Sequence, residues 1–261
     1  MAFENFIPTI WAEQINRELS RLCVFAEDCN RQYEGKVKAK GDSVRILGVG
    51  KPTITETTNK KIKLDDAEEV EDTSVTMPIN HIAYFNYKVD DIDKRQAVGG
   101  VMEALSKETS EGLANKMDIF IAKQALDKLA ILDSPTAAYL VEEANILRKI
   151  DDALQKLYEN DVSTKTEVVL TCSPRFYFIL KRAYTKLDTD NSDMLKNGRV
   201  GRYGNVTVKM SNNVATANNK AEDRIMLRTK RAIAFVNPMT HTEAYRPEKG
   251  FSDAVKGFVL Y

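Results

Sequence analysis

The chain has 261 residues, longer than the common single-domain size, so one elaborate domain or two small ones fit. Hydrophobic residues make up 43% and charged residues 29%, an ordinary globular composition. Thirty-eight basic residues balance thirty-eight acidic ones, which argues against a dedicated nucleic-acid binder, whose footprint is normally basic. Apolar runs are no longer than about five residues, far short of the roughly twenty needed for a membrane-spanning helix. The N-terminus MAFENFIPTIWAEQ lacks a basic-then-apolar signal pattern, so a soluble, cytoplasmic product is expected.

Trp11, Ile15, Leu19, Leu22 and Ala26 recur at helical steps and predict an amphipathic N-terminal helix. Cys23 and Cys29 would sit on this helix on different faces, and with Cys172 they read as free buried thiols rather than a disulfide or metal set. YEGKVKAKGDSVRI reads as β structure, punctuated by Gly35 and Gly41. Residues 51–90 are rich in threonine and charge and poor in large apolar groups until Val75. Alternation then appears at Val75, Met77 and Ile79, and again at Ala83, Phe85, Tyr87 and Val89. The whole stretch is expected to form an extended β-hairpin reaching away from the body.

From Asp93 to Leu132 there is no proline, and Val98, Val101, Leu105, Leu113, Met117, Phe120, Ile121, Leu129 and Leu132 predict one long helix. Forty residues at 1.5 Å rise would span about 60 Å, against about 47 Å for the diameter of a compact globule of this length. A flat, elongated subunit is therefore expected. Gly99 and Gly100 would bend or fray the first turns. Downstream, Leu147, Ile150, Leu154 and Leu157 form a helical stripe, EVVLT reads as a strand, and Ser173–Pro174 opens the helix PRFYFILKRAY. Further strands are predicted at Val206–Met210, Arg224–Leu227, Ala232–Val236 and Ala254–Tyr261, giving an α+β class.

Little catalytic chemistry is offered. His81 and His241 are the two histidines, and neither has a metal-binding neighbour at motif spacing. No GxSxG elbow seats a serine. Gly198, Gly201 and Gly204 follow a GxxGxxG spacing and lead into a strand rather than a helix, which suits a turn-rich connection better than a phosphate loop. No catalytic residue, metal ligand or cofactor is assigned. Charge patterning is more informative. Between Lys36 and Lys63, Lys36, Lys38, Lys40, Arg45, Lys51, Lys60, Lys61 and Lys63 outnumber Asp42 and Glu56, whereas 65–72 holds six acidic residues and no basic one. Opposed blocks on a protruding hairpin suit either a solvated loop or a self-complementary contact between copies.

FIPTIWAEQINREL followed by YEGKVKAKGDSVRI, the 51–90 excursion, the long helix and KNGRVGRYGNVTVKMSNNV, with RAIAFVNPMTHTEAYRPEKGFSDAVKGFVLY, together resemble a tailed-bacteriophage major capsid protein of the Hong Kong 97-like fold. The resemblance covers nearly the whole chain. It implies an N-terminal arm at 1–34, a first β segment and extended loop at 35–92, and a spine helix with peripheral domain at 93–140. It further implies a mainly axial domain at 141–236 and a return to the peripheral domain at 237–261. The implied product is a virion protein, assembled in the host cytoplasm from pentamers and hexamers of itself. Because the arm begins almost at Met1, a separate scaffolding protein is implied, with a portal as a further partner. Contact with packaged DNA would be weak and nonspecific, with no membrane partner. Lys60, Lys61, Lys63, Asp65, Asp66, Glu68 and Glu69 are the expected intersubunit contacts. An encapsulin-like compartment shell and an α+β enzyme are the alternatives, separable by whether portal and protease genes or a cargo enzyme lie nearby.

Overall fold

The computed structural model describes residues 22–33, 43–49, 54, 56, 72–90, 101–126, 140–185, 201–219, 221–237, 239–247 and 252–261. Strand β1 (Ser43–Val49) pairs antiparallel with β2 (Asp72–Pro78), from Ser43 opposite Pro78 to Val49 opposite Asp72. In this pleat Val44 faces Met77 and Ile46 faces Val75, so one face of the hairpin is apolar. Its base is anchored: Val44 is buried with Ile79, Val236 and Leu260, and Tyr33, Ile46 and Met77 pack around them.

The next strand belongs elsewhere. β3 (Ile82–Asp90) was expected to continue the hairpin, but it pairs instead with the C-terminal strand. We number the chain's last two strands β10 (Met239–Tyr245) and β11 (Ser252–Leu260). They form the sheet β10-β11-β3, antiparallel throughout, with Gly257 of the central strand opposite Phe85 on one side and Thr242 on the other. Among the described residues the hairpin is thus built from β1 and β2. Local alternation marks each strand but carries no information about its partner.

Helix α1 (Val101–Lys123) covers one face of that sheet. Leu113, Ala114, Met117, Ile121 and Ala122 are buried at steps of one, three, four and one, together with Phe25, Val214, Phe235 and Val259. Gln124–Leu126 turns as a 3-10 helix, so the α-helical geometry expected through Leu132 gives way there. Gly99, Gly100, Leu129 and Leu132 lie outside the described residues, as do Trp11, Ile15 and Leu19.

A second layer holds α2 (Ile146–Glu159), β4 (Val168–Cys172), α3 (Pro174–Thr185), β5 (Arg202–Tyr203), β6 (Val206–Met210), the short pair β7 (Thr216–Ala217) and β8 (Glu222–Asp223), and β9 (Met226–Thr229). The sheet order is β5-β6-β4-β9. β4 and β6 are parallel and need a crossover, which includes α3. All five residues of β4 are buried, as a central strand covered on both faces requires. Ile146, Ile150, Phe176, Leu180, Val168, Leu170, Val206 and Val208 form this layer's core. The strand expected at Arg224–Leu227 begins two residues later. Ala232–Val236 is not a strand: Ala234 makes one parallel bridge to Asn30. Its apolar pattern has another cause, since Phe235 enters the α1 core while Val236 enters the hairpin-base core.

Candidate assembly surfaces

Residues 24–29 form a turn held against α1 and the four-stranded sheet. The chain is no longer helical after Leu22, and Ala26–Asp28 forms a separate 3-10 turn. This corrects the single helix expected through Ala26. The carboxylate of Asp118, on α1, accepts the backbone N–H groups of Val24 at 2.8 Å, Phe25 at 3.0 Å and Ala26 at 3.3 Å. Arg228, on β9, donates to the Phe25 carbonyl (2.9 Å) near the start of the turn and to the Asp28 carbonyl at its end. Lys209, on β6, lies 2.7 Å from both Glu27 and Asp28. Burial pushes the Asp118 carboxyl up, against the pull of three N–H donors and Arg228. Lys209 is also raised: burial opposes its charge, but hydrogen bonds to Asp28 and Glu27 outweigh that cost. None of this was drawn from the sequence. The available signal was an aspartate within the α1 apolar stripe, beside Met117.

Cys23 precedes this turn and Cys29 ends it, both buried in the α1 core. Burial, with the Asp118 charge second, pushes the Cys23 thiol up to about 12. Burial also raises Cys29, tempered by Arg228, and takes Cys172 to about 12. Reactive thiolates need a lowered pKa, so these groups are packing residues.

The hairpin leaves the body along an apolar gradient. Val44 is buried, Ile46 half-buried, and Val75, opposite Ile46, is 66% exposed. Ile54, beyond the strand, is 86% exposed. Val75 and Ile54 are both large apolar side chains left in water. Arg45 and Glu56 are exposed. Lys60, Lys61, Lys63, Asp65, Asp66, Glu68 and Glu69 lie outside the described residues, so no structural partner is assigned to them.

The face of the β10-β11-β3 sheet turned away from α1 carries Tyr84, Phe258 and His241 in one row across all three strands. Tyr84 is 81% exposed, and the His241 and Phe258 rings lie 5.9 Å apart. The next row pairs Lys256 with Glu243 at 3.1 Å. His81 exchanges both backbone hydrogen bonds with Tyr261, and its ring lies 4.4 Å from Phe120. Each histidine therefore sits in an aromatic packing contact. Among the described residues no group of three or more His, Cys, Asp or Glu side chains could hold a metal ion. In the glycine-rich stretch, Gly204 supplies the positive φ (+56°) of the two-residue turn joining β5 to β6. Gly198 lies outside the described residues.

Neither a family model nor a curated protein sequence matches the chain. Solved structures do. A structure from Mycobacterium phage Che8 is 26% identical with a TM-score of 0.73, over 91% of this chain and 85% of the other. The capsid of cyanophage P-SCSP1u is 15% identical with a TM-score of 0.67, over 91% and 83%. The mature capsid of bacteriophage PhiM1 is 18% identical with a TM-score of 0.65, over 92% and 82%. Each match extends over at least 91% of this chain. The chain has the α+β, Hong Kong 97-like fold of phage major capsid proteins.

Proposed function

We propose that this chain is a phage major capsid protein, many copies of which associate into the icosahedral shell around the genome. The observation that carries the reading is the whole-chain likeness to phage capsid subunits, with 26% identity in the Che8 match. Among the described residues, Ile54, Val75 and Tyr84 leave large apolar surface in water, which association would bury.

In this reading association replaces catalysis, and the chain is not an enzyme. The hairpin, with Lys60, Lys61, Lys63, Asp65, Asp66, Glu68 and Glu69, lies across a neighbouring subunit. Residues 1–34 act as the arm, 35–92 as first β segment and extended loop, 93–140 and 237–261 as the peripheral domain, and 141–236 as the axial domain. Pairing of β3 with β11 supports grouping residues 82–90 with the C-terminal strands in space. A scaffolding protein and a portal complete assembly in the host cytoplasm, and packaged DNA touches the shell weakly. Purified protein, alone and co-expressed with the scaffold candidate, is examined by negative-stain microscopy and sedimentation. Closed particles or capsomers are expected; a monomer under every condition overturns the reading.

A further inference from the structure

The 24–29 turn lies where the two cores meet. On β9, Met226 packs against the α1 core and Leu227 against the core of the four-stranded sheet. The intervening turn is gripped at both ends by buried side chains from different elements. Asp118 is 1% exposed and Arg228 4% exposed. Asp118 takes the free N–H groups at the start of the turn, and Arg228 takes carbonyls at Phe25 and Asp28. The N–H groups and the Asp28 carbonyl are groups that a short helical turn leaves unpaired at its ends, whereas the Phe25 carbonyl also accepts the Asp28 N–H at 3.2 Å. A negative group at the amino end and a positive group at the carboxyl end also match the polarity of the turn. Lys209 adds a third tether to the same four-stranded sheet through Glu27 and Asp28. Buried charges of this kind contribute little net stability but tolerate only a narrow geometry.

We propose that residues 24–29 form a charge-locked clasp that sets the angle between α1 and the four-stranded sheet. Asp118 and Arg228 are its positioning residues. Apolar packing between the cores permits sliding over small distances, whereas a carboxylate aligned on three N–H groups and a guanidinium aligned on two carbonyls do not. The clasp is a property of the single subunit. Its consequence, that loosening it spreads the curvature and hence the diameter of assembled particles, rests on the capsid reading.

The test uses the full-length, unassembled chain. Hydrogen exchange in the wild type should show amides 24–26 protected as strongly as the middle of α1. Spin labels on Lys123→Cys and Glu159→Cys, both exposed positions, should give a narrow distance distribution. Asp118→Asn, which turns NH₂ toward N–H donors, and Arg228→Lys, which keeps the charge but loses the fork, should each broaden that distribution. Each should also speed exchange at 24–26 about tenfold or more while circular dichroism is retained. An unchanged distribution in both variants overturns the proposal. Unprotected amides 24–26 in the wild type do so without any variant. Failure of the wild type to form particles would sink the capsid reading and leave these subunit measurements standing.

Discussion

The ring of Phe85 occupies the space above Gly257 that any other residue would fill. A Cβ placed on Gly257 would lie 2.6 Å from a ring carbon of Phe85 and 2.6 Å from the carbonyl oxygen of His241. The ring can rotate away, but the carbonyl belongs to the β10–β11 ladder and is fixed. Gly257→Ala should therefore cost about 1–3 kcal/mol of stability, read as a lower urea midpoint. Adding Phe85→Ala should not restore it, because the backbone clash remains and a cavity is added.

Ser173 both caps α3 and ties it to β8. Its hydroxyl accepts the Phe176 N–H at 3.4 Å and donates to Asp223 at 2.6 Å. Ser173→Ala should cost about 1–2 kcal/mol. Ser173→Asp should recover less than a usual cap replacement, since it places a second carboxylate against Asp223. Thermal unfolding of the three proteins checks the order.

Alkali should weaken the fold through the buried thiols and Lys209. Unfolded thiols titrate near about 8.5, whereas Cys23 and Cys172 hold their protons to about 12. Between those values the folded state binds more protons than the unfolded one, so stability falls as pH rises. Lys209, also raised, adds its loss above about 10.4 in the same direction. Melting temperature measured from pH 8 to 11 should fall steadily. Cys172→Ala should flatten the slope, and Ellman's reagent at pH 8 should find no reactive thiol until denaturant is added.

The acidic block offers a test at the level of the shell. Replacing Asp65, Asp66, Glu68 and Glu69 by lysine should leave circular dichroism unchanged while blocking or misdirecting assembly. Each exposed pair contributes at most about 1 kcal/mol, but the pairs repeat with every copy. High salt should weaken wild-type assembly by screening them. Normal particles from the four-lysine protein, together with salt-independent assembly, would mean that the block is only a solvated loop.

DNA binding by the free subunit should be weak, because balanced charge supplies no general attraction to phosphate. Submicromolar, sequence-specific binding at physiological salt would contradict this.

The sequence by itself determined the elements whose signal is local. The stripe Leu147, Ile150, Leu154 and Leu157 became α2, the buried run at Val168–Cys172 became β4, and Ser173–Pro174 opened α3, because periodicity and caps depend on a few neighbouring residues. The order of these elements was also enough for the family resemblance. Partnership was decided only in three dimensions. Alternation at 82–90 predicted a strand equally well in a hairpin or beside residues 252–260, and the choice fell to the latter through packing beneath α1. The clasp was hidden for the same reason. Asp118 and Arg228 are 110 residues apart in sequence, and nothing local to either shows that both grip the turn at Phe25. Tertiary folding brings them there because buried N–H and C=O groups must find partners, wherever in the chain those partners lie.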